Sequence, residues 1–218
     1  MSKLYSEQHR SLQDEFETRA LADTLEKLIV HSEITAEEKA FIETREMFFL
    51  STVDHLGRPS VSYKGGEKGF IKVVDKSTLA FPSYDGNGMY LSAGNITANN
   101  KVGLLLIDFE NPHRIRIQGE ATVDLNDPLL TEYKEAQLII RITIKEMWMN
   151  CPRYIHKHQK IESSKYVPQK SCETPLPEWK KLDLLQSILP SKDKGKAEKQ
   201  GGTISVKELQ KYERRDDT

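Results

Sequence analysis

The chain has 218 residues, 37% of them hydrophobic and 30% charged, with a formal net charge of −1. That length suits one domain with a tail or two very small ones, and the low hydrophobic share leaves part of the chain without a core. The near-neutral balance argues against a general nucleic-acid binder, which needs a basic surface to displace counterions.

Other classes fall away for local reasons. No apolar run is long enough to span a bilayer, so no membrane partner is expected. Met1 to Arg10 lacks the apolar core of a signal peptide. Cys151 and Cys172 make no disulfide framework, which fits reduced thiols and a cytoplasmic location.

The first predicted element is helical: Leu12, Phe16, Leu21, Leu25, Leu28 and Ile29 fall near helical spacing among charged residues. A second helix is expected from Thr35 to about Glu46, opened by a capping box of Thr35 and Glu38. The pattern then turns to strand. Met47 to Val53 is apolar and partly β-branched, Asp54-His55-Leu56-Gly57 is a turn, and Ser60, Ser62 and Lys64 alternate with Val61 and Tyr63. Gly65-Gly66 ends that strand. Phe70 to Val74 and Thr78 to Phe81 read as short strands around a turn at Asp75-Lys76.

A glycine-bearing loop, Tyr84-Asp85-Gly86-Asn87-Gly88, precedes a short predicted helix from about Met89 to Ser92. Val102 to Ile107 is continuously apolar and reads as a strand buried on both faces. Arg114 to Leu125 alternates most clearly. Ile115, Ile117, Ala121, Val123 and Leu125 lie on one face, and Arg114, Arg116, Gln118, Glu120, Thr122 and Asp124 on the other. Asp127-Pro128 opens another helix, and Leu138 to Lys145 returns to strand. Ser191 to Gly202, rich in lysine and glycine, reads as a flexible linker before a last short helix over Ser205 to Arg214. The sum is an α+β domain around an antiparallel sheet or barrel.

Two strands carry groups suited to a phosphate: Ser60, Ser62 and Lys64 on one, Arg114, Arg116 and Gln118 on the other. For an alternating strand taken alone, a solvated outer face is the default explanation. The Asp85–Gly88 loop supplies backbone N–H groups ahead of a helix, a weak anion signal that ends in neither a P-loop nor a dinucleotide fingerprint. Cys151, His156, His158 and Cys172 match no common zinc spacing, so no metal is expected. No nucleophile elbow, serine triad or zinc-protease motif occurs, and the catalytic residues are unassigned.

The order of motifs goes further. Phe48-Phe49-Leu50-Ser51-Thr52-Val53-Asp54 with Gly57-Arg58-Pro59 resembles the opening strands of the pyridoxamine 5'-phosphate oxidase superfamily. The likeness continues through Phe81-Pro82, Gly86-Asn87-Gly88, Gly94-Asn95-Ile96, Val102–Asp108 and Arg114–Ala121, and Asn150–Ile155 resembles a segment of one flavin-binding branch. It covers roughly Glu38 to Gln159.

The resemblance implies a split antiparallel β-barrel with N-terminal and flanking helices, dimerising with flavin mononucleotide (FMN) at the subunit interface. By the same resemblance, Ser62, Tyr63 and Lys64 lie on the strand that holds the flavin phosphate. Phe81 and Pro82 run along the flavin, Asn87 and Gly88 form a second clamp, and Arg114, with Arg116 beside it, approaches the ring. The oxidase itself carries basic side chains where this chain has Ser62, Asn87 and Gly88, and it ends in a tryptophan- and arginine-bearing motif missing here. The implied function is therefore an FMN-dependent oxidoreductase acting on a small substrate or a reduced nicotinamide, rather than a vitamin B6 oxidase. The alternative is a non-catalytic module that stores, senses or carries flavin or haem. The expected organisation is a helical segment over 1–46 packed on the barrel, a barrel domain over 47–189, and a flexible charged tail over 190–218.

Overall fold

The computed structural model of the protein describes residues 2–213. It divides into two compact units, Met1–Glu162 and Ser163–Thr218.

The first unit holds one seven-stranded antiparallel sheet. Its strands are β1 (Met47–Val53), β2 (Pro59–Gly65), β3 (Lys72–Asp75), β4 (Thr78–Ser83), β5 (Lys101–Asp108), β6 (His113–Asp124) and β7 (Leu138–Met149), in the spatial order β2-β1-β5-β6-β7-β4-β3. A flat sheet would hold β1 and β4 roughly 19 Å apart, four strand spacings. Instead the Phe48 ring on β1 meets the Phe81 ring on β4 edge to face at 4.9 Å, and Phe70 stacks on Phe48 at 5.9 Å. The sheet therefore curls around a core of Phe48, Leu50, Leu104, Ile115, Ile117, Ile140 and Ile142, while β2 and β3 remain its open edges. This is the expected α+β split barrel.

The predicted strand over 47–53 appears at those bounds, and the one read around Ser60–Lys64 runs from Pro59 to Gly65, with Gly57 taking the left-handed turn conformation (φ +78°). Phe70 and Ile71 enter the core before the third strand begins at Lys72. β5 was expected to be buried on both faces. Val102, Leu104, Leu106 and Ile107 are buried, but Gly103 and Leu105, on the face away from the core, are only half-buried. In β6 the pairing with β7 shifts by one residue between Gln118 and Gly119. That bulge explains the glycine: a Cβ at 119 would lie 2.5 Å from the Thr143 carbonyl oxygen and 2.9 Å from Ile142.

Helix α3 (Ala36–Glu43) begins at the predicted capping box, where Thr35 accepts from the Glu38 N–H and Glu38 accepts from the Thr35 N–H at 2.9 Å. It docks on the barrel through buried Ile42. The continuous helix expected before it is two helices, α1 (Glu7–Glu15) and α2 (Arg19–Ile29), separated by Glu17 in the left-handed region at φ +54°. The five-residue step from Phe16 to Leu21 is out of phase with a continuous helix. Neither α1 nor α2 buries a residue, so only α3 of the 1–46 segment packs a buried side chain against the barrel. Helix α4 (Leu91–Ala98) starts later and runs longer than the turn expected at Met89–Ser92, because the Asn87 side chain captures the Met89 N–H at 3.0 Å and Tyr90 takes a left-handed conformation.

The second unit has its own small core of Leu176, Leu182, Leu189 and Ala197, with short helices α5 (Lys196–Lys199) and α6 (Val206–Glu213). Lys180 and Asp193, both buried, pair at 2.7 Å, and Lys196 adds a second bond to the same carboxylate at 3.1 Å. Burial pushes the Asp193 carboxyl up, but these two ammonium groups outweigh it and hold it below the ordinary range. The boundary expected at 189/190 thus falls inside this unit, since Asp193 and Ala197 anchor part of what composition marks as a linker. Arg214 and the remaining four residues lie outside the described residues.

Gly119→Ala is expected to destabilise the barrel by about 1–3 kcal/mol, since the added methyl meets backbone that cannot yield. Urea unfolding of the variant against wild type checks this.

Candidate anion and flavin site

The β1–β2 register places Phe48 opposite Lys64, Leu50 opposite Ser62 and Thr52 opposite Ser60. Opposed residues share a face, so Ser60, Ser62 and Lys64 point to the core side of the sheet, at its β2 edge. Val61 and Tyr63 point outward and are exposed. Helix α4 covers this inner edge by burying Ala93 and Ile96, and Asn95 donates to Thr52 Oγ1 at 3.0 Å. That docking sets the first turn of α4 against β2. Ser92 Oγ lies 3.1 Å from Ser62 Oγ and 3.1 Å from Lys64 Nζ.

Lys64 and Ser92 border a cavity of about 230 Å³, lined also by Ser83, Tyr84 and the loop running from Gly86 to Ala93. The loop is tied down at both ends through Gln137. Tyr90 Oη donates to Gln137 Oε1 at 2.9 Å, Gln137 Nε2 donates to Asp85 Oδ1 at 3.2 Å, and the Gln137 N–H donates to the Ser83 carbonyl at 2.9 Å. Gly88 adopts φ +79°, open to glycine at no cost.

Among the described residues, no carboxylate forms an ion pair with Lys64. Among those residues its side-chain partner is the Ser92 hydroxyl. Burial therefore acts on Lys64 without compensation and holds its ammonium pKa below the ordinary lysine value. Tyr84, facing the same cavity, is pushed up to about 12 by burial, with Glu67 and Glu135 adding to the shift, so its hydroxyl is a neutral donor at pH 7. One lysine, two hydroxyls and the free N–H groups of a helix N-terminus converge here. Such a donor set accepts a cluster of anionic oxygens, and a phosphate monoester meets it. It includes no residue poised for general acid–base work.

Of the residues singled out from sequence, Ser62, Lys64, Asn87 and Gly88 come together at this cavity or its rim. The others do not. Tyr63 is on the opposite face, with its ring 6.2 Å from Phe49. Phe81 is buried inside the barrel opposite Ile140 on β7, Pro82 is buried on the other face of β4 opposite Ile139, and Ser83 and Tyr84 border the cavity in their place. Arg114 and Arg116 also face outward. Leu104 shares the inner face with Leu50 and Ile117, whereas Arg116 is opposite Leu105 and Trp148. Arg114 donates to the Cys151 carbonyl at 3.1 Å, and its buried Nε has no partner among the described residues. Within one chain, then, the two cation-bearing strands present opposite faces and do not form one clamp. Ser92 and Tyr84 were missed from sequence. The only signal for Ser92 was a serine just beyond the Asn87–Gly88 turn, at a distance from Ser62 and Lys64 that only the docking of α4 closes.

No curated protein matches the chain. Similar solved structures include HupZ of Group A Streptococcus, with 19% identity and a TM-score of 0.44 over 53% of this chain and 93% of that one. HutZ, a haem storage protein of Vibrio cholerae, has 18% identity and a TM-score of 0.40 over 53% and 94%. An FMN-binding protein of Syntrophomonas wolfei has 15% identity and a TM-score of 0.39 over 63% and 96%. The family model described as pyridoxamine 5'-phosphate oxidase matches residues 34–154, more than half of the chain and nearly all of the barrel. The chain belongs to the pyridoxamine 5'-phosphate oxidase family.

Proposed function

We propose that the protein binds FMN, with the phosphate held by Lys64, Ser62, Ser92 and the N-terminus of α4, and that it acts as a flavin-dependent oxidoreductase on a small substrate or a reduced nicotinamide. The observation that carries this reading is Lys64 itself. A half-buried ammonium beside two hydroxyls, with no carboxylate to neutralise it, is the protein half of an ion pair whose other half is a ligand. Family membership supports flavin phosphate among the anions that would fit. FMN is favoured over the adenine dinucleotide because no dinucleotide fingerprint occurs in the chain. Bound flavin supplies the redox chemistry, and the chain's part is to fix one end of it and to shape the surroundings.

A cavity of about 230 Å³ is below the usual range for a whole drug-sized ligand, about 300–1,000 Å³. It suits the phosphate end, leaving the ring over the neighbouring surface. The proposal therefore includes a homodimer through the outer sheet face, where Val61 and Tyr63 are exposed and Phe49 and Leu105 half-buried. A partner there would bring Arg114 and Arg116 of one chain toward the flavin of the other. Among the described residues no helix is long and apolar enough to cross a membrane. A cytoplasmic location is proposed from the cysteine usage, since two cysteines in 218 residues are too few for a disulfide framework. Activity as a true pyridoxamine 5'-phosphate oxidase is not proposed, given the missing basic side chains at Ser62, Asn87 and Gly88.

Lys64→Ala is expected to weaken FMN binding by about one to two orders of magnitude, the loss of one charge-assisted phosphate contact, while riboflavin binding hardly changes. Fluorescence quenching with both flavins measures this, and mass spectrometry of the ligand released by heat identifies it. Haem or a deazaflavin in the released fraction, or equal losses for both flavins, would refute the assignment.

The same lysine makes an opposite prediction for the ligand-free protein. A lysine whose folded pKa is depressed binds fewer protons folded than unfolded between that pKa and 10.5. Its stability cost is present at neutral pH and is relieved as pH rises toward 10.5. Lys64→Met should therefore raise the melting temperature of apoprotein at pH 7, with the advantage shrinking at alkaline pH. Calorimetry across pH 7–10.5 checks it, and a lower melting temperature for the variant throughout would show that Lys64 is compensated within the protein.

A further inference from the structure

We propose that α1 and α2 form an arm that packs on a second copy of the chain rather than on their own barrel. This extends the dimer reading above. The two helices are held to each other by polar contacts. Arg10 pairs with Asp23 at 2.7 Å, and Glu26 accepts from Ser2 Oγ at 3.0 Å and from the Lys3 N–H at 2.7 Å. Yet their leucines are exposed. Leu21, Leu25 and Leu28 form one stripe along α2, Leu12 on α1 and Phe16 just after it are exposed as well, and Leu28 is 74% exposed. Helices of nine and eleven residues are marginal in water unless an apolar face is packed. The stripe therefore needs an occupant.

Three observations point to a second copy. First, the arm is rooted at the rim of the other uncovered apolar surface of the same unit. His31 exchanges backbone hydrogen bonds with Met147, 3.1 Å to its carbonyl and 2.7 Å from its N–H, on the stretch of β7 beyond the last β4 pairing at Thr143. The next residue, Trp148, lies on the outer face opposite Arg116. Second, that outer face exposes Val61 at 67% and Tyr63 at 62%, so one chain carries two apolar surfaces and each lacks a partner. A two-fold axis through the outer face would bring the arm of each protomer onto its neighbour and cover both surfaces at once. Third, the arm is acidic. Residues 7–29 hold six carboxylates and three Lys or Arg side chains, an acidic balance that a protein face with Lys or Arg side chains would match. The same acidic surplus disfavours a lipid surface, since helices that lie on membranes are usually basic.

The test is sedimentation velocity over a concentration series with the full chain and with Leu21→Ser/Leu25→Ser/Leu28→Ser. The wild type is expected to dimerise, and the variant to dimerise about a hundredfold more weakly or worse, from three lost leucine contacts on each arm. Hydrogen exchange on wild type provides a second readout that needs no variant: amides of residues 19–29 should be protected in the dimer and lose protection on dilution to monomer. A wild type monomeric at all concentrations, an unchanged dissociation constant, or protection of 19–29 that persists in the monomer overturns the proposal. So does wild-type binding to phosphatidylcholine–phosphatidylserine vesicles that the variant loses, which would assign the stripe to lipid. FMN titration of the same samples keeps the two readings apart. Flavin binding that fails while the arm readouts hold counts against the flavin assignment alone, and intact flavin binding with failed arm readouts counts against the arm alone.

Discussion

Phe48 and Phe81 meet inside the barrel although three strands lie between their own, and much of the molecule follows from that contact. Rings 4.9 Å apart require the sheet to curl, and curling turns one face of every strand inward. The inner face is filled where β5, β6 and β7 run through the middle. Toward β2 the side chains opposite Phe48, Leu50 and Thr52 become Lys64, Ser62 and Ser60, so the core runs out into hydrophilic groups that remain half-buried. Helix α4 closes that edge with Ala93 and Ile96, and its first turn delivers Ser92 to the lysine. The candidate anion site is thus the place where the barrel's own apolar lining stops.

Placing a lysine there is a compromise between stability and function. A desolvated ammonium is tolerated beside an apolar core only at some cost to the empty fold, and a bound anion removes the cost. The protein solves a similar problem differently in its second unit, where Lys180 is buried with Asp193 supplied by the chain. The contrast gives Lys64 its meaning. Where the chain wants a buried lysine for structure, it provides a carboxylate; at Lys64 it provides two hydroxyls and a helix N-terminus, all of which also favour an anion.

The outer face of the sheet explains why the predicted site splits in two. Alternation along β2 and β6 gives the right period but not the sign, because which side of a strand is inside depends on its neighbours. Ser62 is inward since Leu50 is, and Arg116 is outward since it lies opposite Leu105 rather than Leu104. Only an arrangement of two chains could bring both sets of cations to one ligand, and for that reason the flavin and dimer readings are linked.

Much was legible along the chain because it rests on short-range physics. The capping box at Thr35 and Glu38, the strands at 47–53 and 59–65, the turn at Gly57 and the strict alternation from residue 114 are set by residues within a few positions of one another. The ordered motifs were enough for the family and the split barrel. What depended on distant residues was not legible. Phe81 looked like a ligand-lining residue and is core, because Phe48 meets it across the barrel, while its neighbour Pro82 is buried on the other face of β4. Ser92 carried no local mark, because its role comes from Ser62 and Lys64 some thirty positions earlier. Residues 191–202 read as linker by composition until Lys180 anchored Asp193. The sequence by itself determined the elements, their periods and the family. The tertiary structure alone decided which face of each strand is inside, and therefore which cations share a site, since that is settled by pairing between residues far apart in the chain.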